Sequence, residues 1–443
     1  MSDWRERYAE KLIDGDRAVA LIEDGMTIHF GLASTCPLYL TPLVAERRDD
    51  LRDVIAYGDL IFYRGEWDEV HAEQRQIELR CCYVTNLNRD VYRSGHTNYH
   101  PATVFTSQRR FERDIGPPDI GYFRLSEPDE DGYCSVGASV WDSLIAIRAS
   151  KLVVAEIAEG LMPRSAGASS VHIDEIDYLV DLQTGWEPPQ RPALADAVAD
   201  PQRLAVLDVI GANTAELVRD RATIEIGVGA GSNAVIAHLA GKHDLGFHSE
   251  LTGPGIVQLH DEGVFTGKYK SRDAGKMVVT ALPASAEDRA LIAERHFDEW
   301  ELYGVDYIHD PAVIASQSQM TAINTGTTID LTGQVVFDSI GRNMHTGPGG
   351  QLEFVIGAVY APGGRSIHAL PSTAGEHSRI VAELPPGASV GIPRYLTDMV
   401  VTEYGVASMF GKSERARAEE LIALAHPDHR AELRSEARRV GLL

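Results

Sequence analysis

The chain is 443 residues long and carries 41 basic against 65 acidic side chains, a formal charge of −24. That balance argues against nucleic acid or an anionic membrane as partner, because both are held by basic surfaces, while a small anionic ligand can still sit in a locally positive site. The apolar fraction of 44% and charged fraction of 24% are ordinary for a globular protein, and at ~150 residues per domain the length suits two or three domains.

No apolar run reaches the ~18 residues of a membrane span. The first residues, MSDWRERYAEKL, are charged and helical in pattern, with no apolar core of a signal peptide. Cys36, Cys81, Cys82 and Cys134 form no C-x-x-C pair, which suits thiols in a reducing cytoplasm rather than a disulfide framework or zinc site.

In chain order, residues 4–24 predict a helix, Gly25 a break, and Thr27–Phe30 a strand. Further strands are predicted at Ile120–Leu125, Leu152–Glu156 and Tyr178–Val180. They alternate with amphipathic helices, the pattern of an α/β fold with largely parallel sheets. The stretch Gly185–Asp200, with Pro188, Pro189 and Pro192, reads as a linker between domains 1–190 and 191–443. Beyond it the pattern repeats. Thr27–Pro37 resembles Thr223–Asn233 at an offset of 196 residues. Pro128–Ser135 resembles Ile329–Val336, with turns at Asp131-Gly132 and Thr332-Gly333, and Ser150–Glu156 resembles Arg365–Leu370. Three matches in the same order predict two similar α/β halves. Ser413 is the expected N-cap of a helix over Glu414–Leu424, and a last helix runs from about Asp428 to Val440.

Two glycine-rich turns attract attention. A strand at Ala222–Ile226 feeds Gly227-Val-Gly-Ala-Gly-Ser-Asn233 and then a predicted helix over Ala234–Ala240. Glycines admit close backbone approach, and free N–H groups at a helix start favour an anion. Read as Gly229-x-Gly231-x-x-Ala234, with Glu250 21 residues beyond Gly229, the same stretch also fits a dinucleotide fingerprint, and a plain packing turn fits it too. The second turn is His345-Thr-Gly-Pro-Gly-Gly-Gln351, where the N–H groups of Gly349 and Gly350 could form an oxyanion hole or merely a flexible turn.

No H-E-x-x-H, P-loop or G-x-S-x-G motif is present, and the His96/His100 pair is followed by Pro101, which disfavours two ligands on one helix face. Glu250 stands apart. It follows the strand pattern Leu245–His248 and precedes the turn Leu-Thr-Gly-Pro-Gly255, where open α/β sheets bind ligands, so its carboxylate is suited to act as base, nucleophile or ribose acceptor.

Taken in order, these segments resemble the acetyl-CoA hydrolase/transferase family, which includes the 4-hydroxybutyrate CoA-transferases. The resemblance is carried by Gly227–Val235, Leu245-Gly-Phe-His-Ser-Glu250, Val305-Asp-Tyr-Ile-His-Asp-Pro311, Ala322-Ile-Asn324, Ile329–Gln334 with Asp338–Gly341, Gly347-Pro-Gly-Gly-Gln351, Ala369–Thr373 and Val401–Val406 with Ala425–Asp428. In the first half it is carried by Trp4, Tyr8, Lys11-Leu12, Pro128–Ser135, Met162-Pro-Arg164 and His172–Tyr178. The resemblance implies two similar open α/β CoA-transferase domains with the active site between them, and a homodimer. It makes Glu250 the nucleophile and sets the Gly347–Gln351 loop, with Gly349 and Gly350, against the thioester oxygen. It brings Gly227, Gly229, Gly231 and Ser232 close to CoA.

The family commonly has Ile-Pro where this chain has Gly231-Ser232, and an Asp-Gly turn where it has Pro254-Gly255; both departures bear on substrate choice. The implied reaction passes CoA from a short-chain acyl-CoA to a carboxylate acceptor, with no metal and no permanently bound cofactor. Lys268, Lys270 and Arg272 are the cations expected to meet the phosphates of CoA. The rival readings are an acyl-CoA hydrolase using the same glutamate, a non-catalytic CoA sensor and, more distantly, an NAD-dependent dehydrogenase.

Overall fold

The computed structural model describes residues 4–58, 67, 76–85, 88–93, 95, 97–113, 116–162, 166–182, 186, 200–282 and 285–443. His96, Pro163, Arg164 and most of the proline-rich stretch (185 and 187–199) lie outside the described residues. The chain groups into two compact units: Met1–Asp196 with Leu302–Asp306, and Ala197–Glu301 with Tyr307–Leu443. Among the described residues no helix is long and apolar enough to cross a membrane.

The first unit is built on strands β1 (Thr27–Phe30), β2 (Val54–Tyr57), β3 (Ile77–Cys81), β4 (Thr97–Tyr99), β5 (Ile120–Leu125), β6 (Val153–Ile157) and β7 (Tyr178–Asp181). They lie in the order β7-β6-β5-β1-β2-β3-β4, with every pairing parallel. Helices on the faces bury the middle of the sheet, whose strands carry apolar residues almost without alternation, while the outer strand β3, Ile-Glu-Leu-Arg-Cys, alternates buried and half-buried positions. The Val153–Ile157 strand is buried at every position. Ile28, Phe30, Val54, Ala56, Ile77 and Tyr122 share one core.

The second unit repeats this plan with β8 (Thr223–Ile226), β9 (Gly246–Leu251), β10 (Met277–Ala281), β11 (Thr321–Asn324), β12 (Arg365–Ala369), β13 (Met399–Thr402) and β14 (Gly405–Ser408). Their order is β14-β13-β12-β11-β8-β9-β10, parallel except for the terminal β13–β14 hairpin. Strand for strand, β13-β12-β11-β8-β9-β10 matches β7-β6-β5-β1-β2-β3. The repeats in the sequence fall on equivalent places: Thr27–Phe30 and Thr223–Ile226 are the central strands, and Val153–Ile157 and Arg365–Ala369 lie two strands away. Gly132 and Gly333, the matched turn glycines, both take positive φ (+87° and +99°), a conformation that glycine adopts without steric cost.

Local signals placed most element starts. Asp200 accepts a hydrogen bond from Gln202 N–H ahead of Pro201 at the start of the Pro201–Leu217 helix, and Ser413 accepts from Ala416 N–H ahead of Glu414–Leu424. The terminal helix spans Pro427–Arg439. Three expectations change. Residues 4–24 are not one helix but Trp4–Arg7, a turn at Ala9–Lys11 and a helix over Gly15–Ala20. Leu12 and Ile13 are drawn out as a bridge to Leu179, and Asp14 then caps the new helix. The helix expected over Ala234–Ala240 is instead a single turn at Ala230–Asn233 followed by a 3₁₀ turn at Ile236–His238. The Leu245–His248 strand extends to Leu251, because Ser249 and Leu251 stay paired with Val279 and Ala281.

Cys36, Cys81, Cys82 and Cys134 are all buried. Burial pushes the Cys134 thiol up to about 12, which leaves it protonated and unreactive.

Candidate active site

In the second unit the strand order reverses direction between β8 and β11. Such a switch point opens a crevice at the carboxyl ends of the strands, where ligands bind. Gly227 follows β8 there, Asn324 ends β11, and Glu250 lies near the end of β9. Continuing the β8–β9 register by two and three residues beyond Ile224–Phe247 sets Ile226 beside Ser249 and Gly227 beside Glu250. Glu225, Gly227, His248 and Glu250 therefore share one face, since side chains alternate with a period of two.

The Glu250 side chain is 14% exposed. Its Oε2 accepts from His309 Nε2–H at 2.9 Å and from Gly350 N–H at 2.8 Å. Gly350 is the residue just before the Gln351–Tyr360 helix, with φ −103°, so no backbone strain demands a glycine there. Space does: a Cβ on Gly350 would stand 2.1 Å from His309 Cδ2 and 2.7 Å from Glu250 Oε2. Gly349, beside it, takes φ +55°, and Gly347 is buried. Gln351 Nε2 donates to the Thr325 carbonyl at 3.0 Å, tying the helix start to the loop after β11.

The Gly227–Ser232 turn packs against the same strand ends. A Cβ on Gly227 would fall 2.2 Å from Asn324 Oδ1, one on Gly229 2.8 Å from Thr325 Cγ2, and one on Gly231 2.4 Å from the Ala369 carbonyl oxygen. Ser232 is fully buried and its hydroxyl donates to the Gly227 carbonyl at 2.6 Å, so it braces the loop from within. The side chain exposed at the tip is Val228, at 61%.

The groups behind Glu250 are held uncharged. Burial pushes His248 down to about 3, and His368 down to about 4. Glu225, 1% exposed, accepts from Asn324 Nδ2 at 2.8 Å. Burial, reinforced by the negative charge of Glu250, raises its pKa well above the usual carboxyl range. A raised native pKa means that the fold binds more protons than the unfolded chain above pH ~4.3, so this group's contribution to stability falls as pH rises. Glu225→Gln keeps the shape without the proton. Its Tm is expected to lie close to the parent's at pH 5 and to exceed it increasingly toward pH 8; thermal melts at the two pH values check this, and a gain confined to low pH contradicts it.

Of the cations expected at the phosphates of CoA, one is taken up inside the fold. Lys270 is 5% exposed and its ammonium donates to the Phe247 and Lys276 carbonyls, both at 3.0 Å, with burial pushing its pKa down to about 8. Lys268 is exposed, 5.3 Å from the Tyr269 ring centroid, in a loop bonded back to Leu245 through Gly267. The Lys270 ammonium meets β9 at Phe247, three residues or roughly 10 Å along the strand from Glu250 at ~3.3 Å per residue. Arg272 Nε donates to Ser316 Oγ at 2.8 Å.

His309 and Glu225 were not singled out from sequence. Glu225 had a signal, an acid inside a β-branched strand of the kind that is buried on both faces. His309 stands inside Val305–Pro311, one of the segments that carry the family resemblance, but its role was not legible because its partner is 59 residues away in sequence.

A separate cluster joins His260, His296 and Glu299, with spacing that could suit a metal. Trp300 Nε1, which can only donate, bonds His260 Nδ1 at 3.1 Å, so the proton of that ring sits on Nε2, facing Glu299 Oε2 at 2.8 Å. His296 lies between Glu299 and Asp261 at 3.1 and 2.8 Å. With the Trp300 bond in place, the His260 Nε2 lone pair is unavailable to a metal.

The chain matches the acetyl-CoA hydrolase/transferase N-terminal domain over residues 1–183 and the C-terminal domain of the same family over residues 292–437. It is 36% identical over 436 residues to the 4-hydroxybutyrate coenzyme A transferase of Clostridium kluyveri, covering 98% of this chain and 99% of that one. The crystal structure of RipA from Yersinia pestis superposes with a TM-score of 0.86 at 31% identity, covering 100% of both chains. The 4-hydroxybutyrate CoA-transferase from Porphyromonas gingivalis superposes with a TM-score of 0.76 at 29% identity, covering 99% of this chain and 100% of that one. A Gly-rich turn closed on itself, a glutamate gripped at the switch point and this whole-length likeness displace the dinucleotide reading: the chain belongs to the acetyl-CoA hydrolase/transferase family.

Proposed function

We propose that the protein is an acyl-CoA:carboxylate CoA-transferase for short-chain acids, working through Glu250. The observation that carries this reading is a carboxylate at the switch-point crevice that, among the described residues, is held by His309 Nε2 and Gly350 N–H with no lysine or arginine paired to it. Such a carboxylate is oriented without being quenched by an ion pair. The names of the relatives matched over the full length support transfer of CoA in particular.

In the proposed ping-pong sequence the Glu250 carboxylate attacks the acyl carbonyl of the CoA thioester. The C–S bond breaks, giving an acyl-glutamyl anhydride and CoA thiolate. The thiolate attacks the glutamyl carbonyl, expels the donor carboxylate and leaves a Glu250–CoA thioester. An acceptor carboxylate then runs the two steps in reverse and departs as its CoA ester. Every bond is accounted for without a metal or redox cofactor. A carboxylate is a weak nucleophile, so positioning and oxyanion stabilisation must provide much of the acceleration, with binding energy from the remote parts of CoA used at the reacting carbon. The N–H groups at Gly349 and Gly350 are assigned to that stabilisation, and the Gly227–Ser232 turn to the approach of CoA. The exposed Lys268 is assigned to the phosphates of CoA, whereas the buried Lys270, with its ammonium on two backbone carbonyls, braces its own loop.

The test is to incubate the protein with acetyl-CoA, trap with borohydride or hydroxylamine, and map the modified peptide by mass spectrometry. Modification at Glu250 is expected, and modification elsewhere would sink the assignment. Adding propionate separates the outcomes: a transferase forms propionyl-CoA, whereas a hydrolase only frees CoA.

A further inference from the structure

Among the described residues both hydrogen bonds to Glu250 fall on the same oxygen, Oε2. The two carboxylate oxygens are therefore not equivalent, and the chemistry should divide between them.

We propose that His309 is a positioning residue which, together with Gly350 N–H, sets Oε2 of Glu250 as the oxygen that receives negative charge and leaves Oε1 as the oxygen that attacks. This rests on the reading of Glu250 as nucleophile and deepens it. Once Oε1 has attacked and left with the donor acid, Oε2 is the carbonyl oxygen of the Glu250–CoA thioester. It already lies against two N–H groups, at 2.9 and 2.8 Å. When the acceptor carboxylate adds to the glutamyl carbon, the electron pair of the C=O bond moves onto Oε2. When the intermediate collapses, the pair returns and CoA thiolate leaves. Nothing has to rearrange to receive that charge, which is the condition under which an oxyanion hole is most effective. No proton is transferred in either direction.

The surroundings make His309 a fixed donor. Its imidazole is fully buried. Among the described residues Nδ1 is buried with no hydrogen-bond partner, so a proton there would be an unsatisfied buried N–H, whereas a proton on Nε2 meets a carboxylate. The ring packs edge-on to Phe354, with centroids 5.4 Å apart at 73°. On another side the Cα of Gly350 approaches so closely that a Cβ would overlap Cδ2. These contacts confine the ring from two sides, with Nε2 facing one oxygen. His309 is delivered by the Val305–Ile308 turn immediately before it, and Asp310 caps the following Pro311–Ala315 helix by accepting from Ala312 N–H.

The test compares His309→Phe, which keeps a ring without the donor, with His309→Asn, which keeps an N–H donor. His309→Phe should lower kcat by roughly 10²–10³-fold, the usual cost of one lost oxyanion donor, while KM for the CoA ester stays within about twofold. Quenched-flow sampling should show both formation and consumption of the Glu250–CoA thioester slowed. His309→Asn should recover at least tenfold of the lost kcat. Parental kcat in a folded His309→Phe, a loss confined to KM, or no recovery with Asn overturns the proposal. Failure of the underlying nucleophile reading looks different: the unmutated protein then forms no CoA adduct on Glu250. If His309→Phe does not fold, ¹⁵N-histidine NMR of the unmutated protein decides. The Nε2–H form of His309 is required, and an Nδ1–H form overturns the proposal.

Discussion

Glu250→Gln is expected to abolish CoA transfer, with kcat reduced by at least about 10³-fold, while the protein stays folded. The amide oxygen can accept from Gly350 N–H and His309 Nε2–H as the carboxylate does at 2.8 and 2.9 Å, so the packing of the site is preserved. An amide is not a nucleophile toward a thioester, so the covalent route is closed rather than weakened. Steady-state assays with acetyl-CoA and propionate, run beside thermal melts, separate the two effects. The variant should melt within a few degrees of the parent and give no CoA adduct by mass spectrometry. A variant that retained a tenth of the parental rate would remove Glu250 from the covalent mechanism.

Gly350→Ala is expected to cost about 10²-fold or more in kcat, and it acts through space alone. At φ −103° the backbone accepts alanine without strain. The new methyl, however, would sit 2.1 Å from His309 Cδ2, 2.4 Å from His309 Nε2 and 2.7 Å from Glu250 Oε2. No real contact is that short, so the imidazole, the carboxylate or the helix start must move. Each movement lengthens one of the two hydrogen bonds to Oε2. Overpacking of this kind typically destabilises by about 1–3 kcal/mol, so Tm should fall as well. Gly241→Ala is the matched control, since a Cβ there meets nothing within 4 Å, and it should leave kcat unchanged. Equal behaviour of the two variants would show that the close approach at Gly350 is unimportant to turnover.

Glu250 and Gly350 were identifiable because each belongs to a short motif with its own local logic, a strand end in one case and a glycine turn in the other. The repeat was legible because Thr27–Phe30 and Thr223–Ile226 are both buried central strands followed by glycine, and that demand is local. Lys270 was misplaced because its spacing from Glu250 says nothing about which edge of the sheet it lines. Its loop turns back under the start of β9, where burial and two backbone carbonyls hold the ammonium. Ser232 lies in the glycine loop, and its hydroxyl closes the loop rather than facing out, an orientation no spacing in the sequence indicates.

By itself, then, the sequence determined the parallel α/β class, the doubling of one plan and the glutamate and glycine that meet at the switch point. Strand periodicity, apolar runs and turn glycines act within a few residues of one another. Tertiary structure alone decided which donors grip the carboxylate and which oxygen they grip. His309 is 59 residues from Glu250, and Gly350 is 100. Only the strand order that folds β8, β9 and β11 side by side brings three distant segments within hydrogen-bond reach, and no local pattern encodes that pairing.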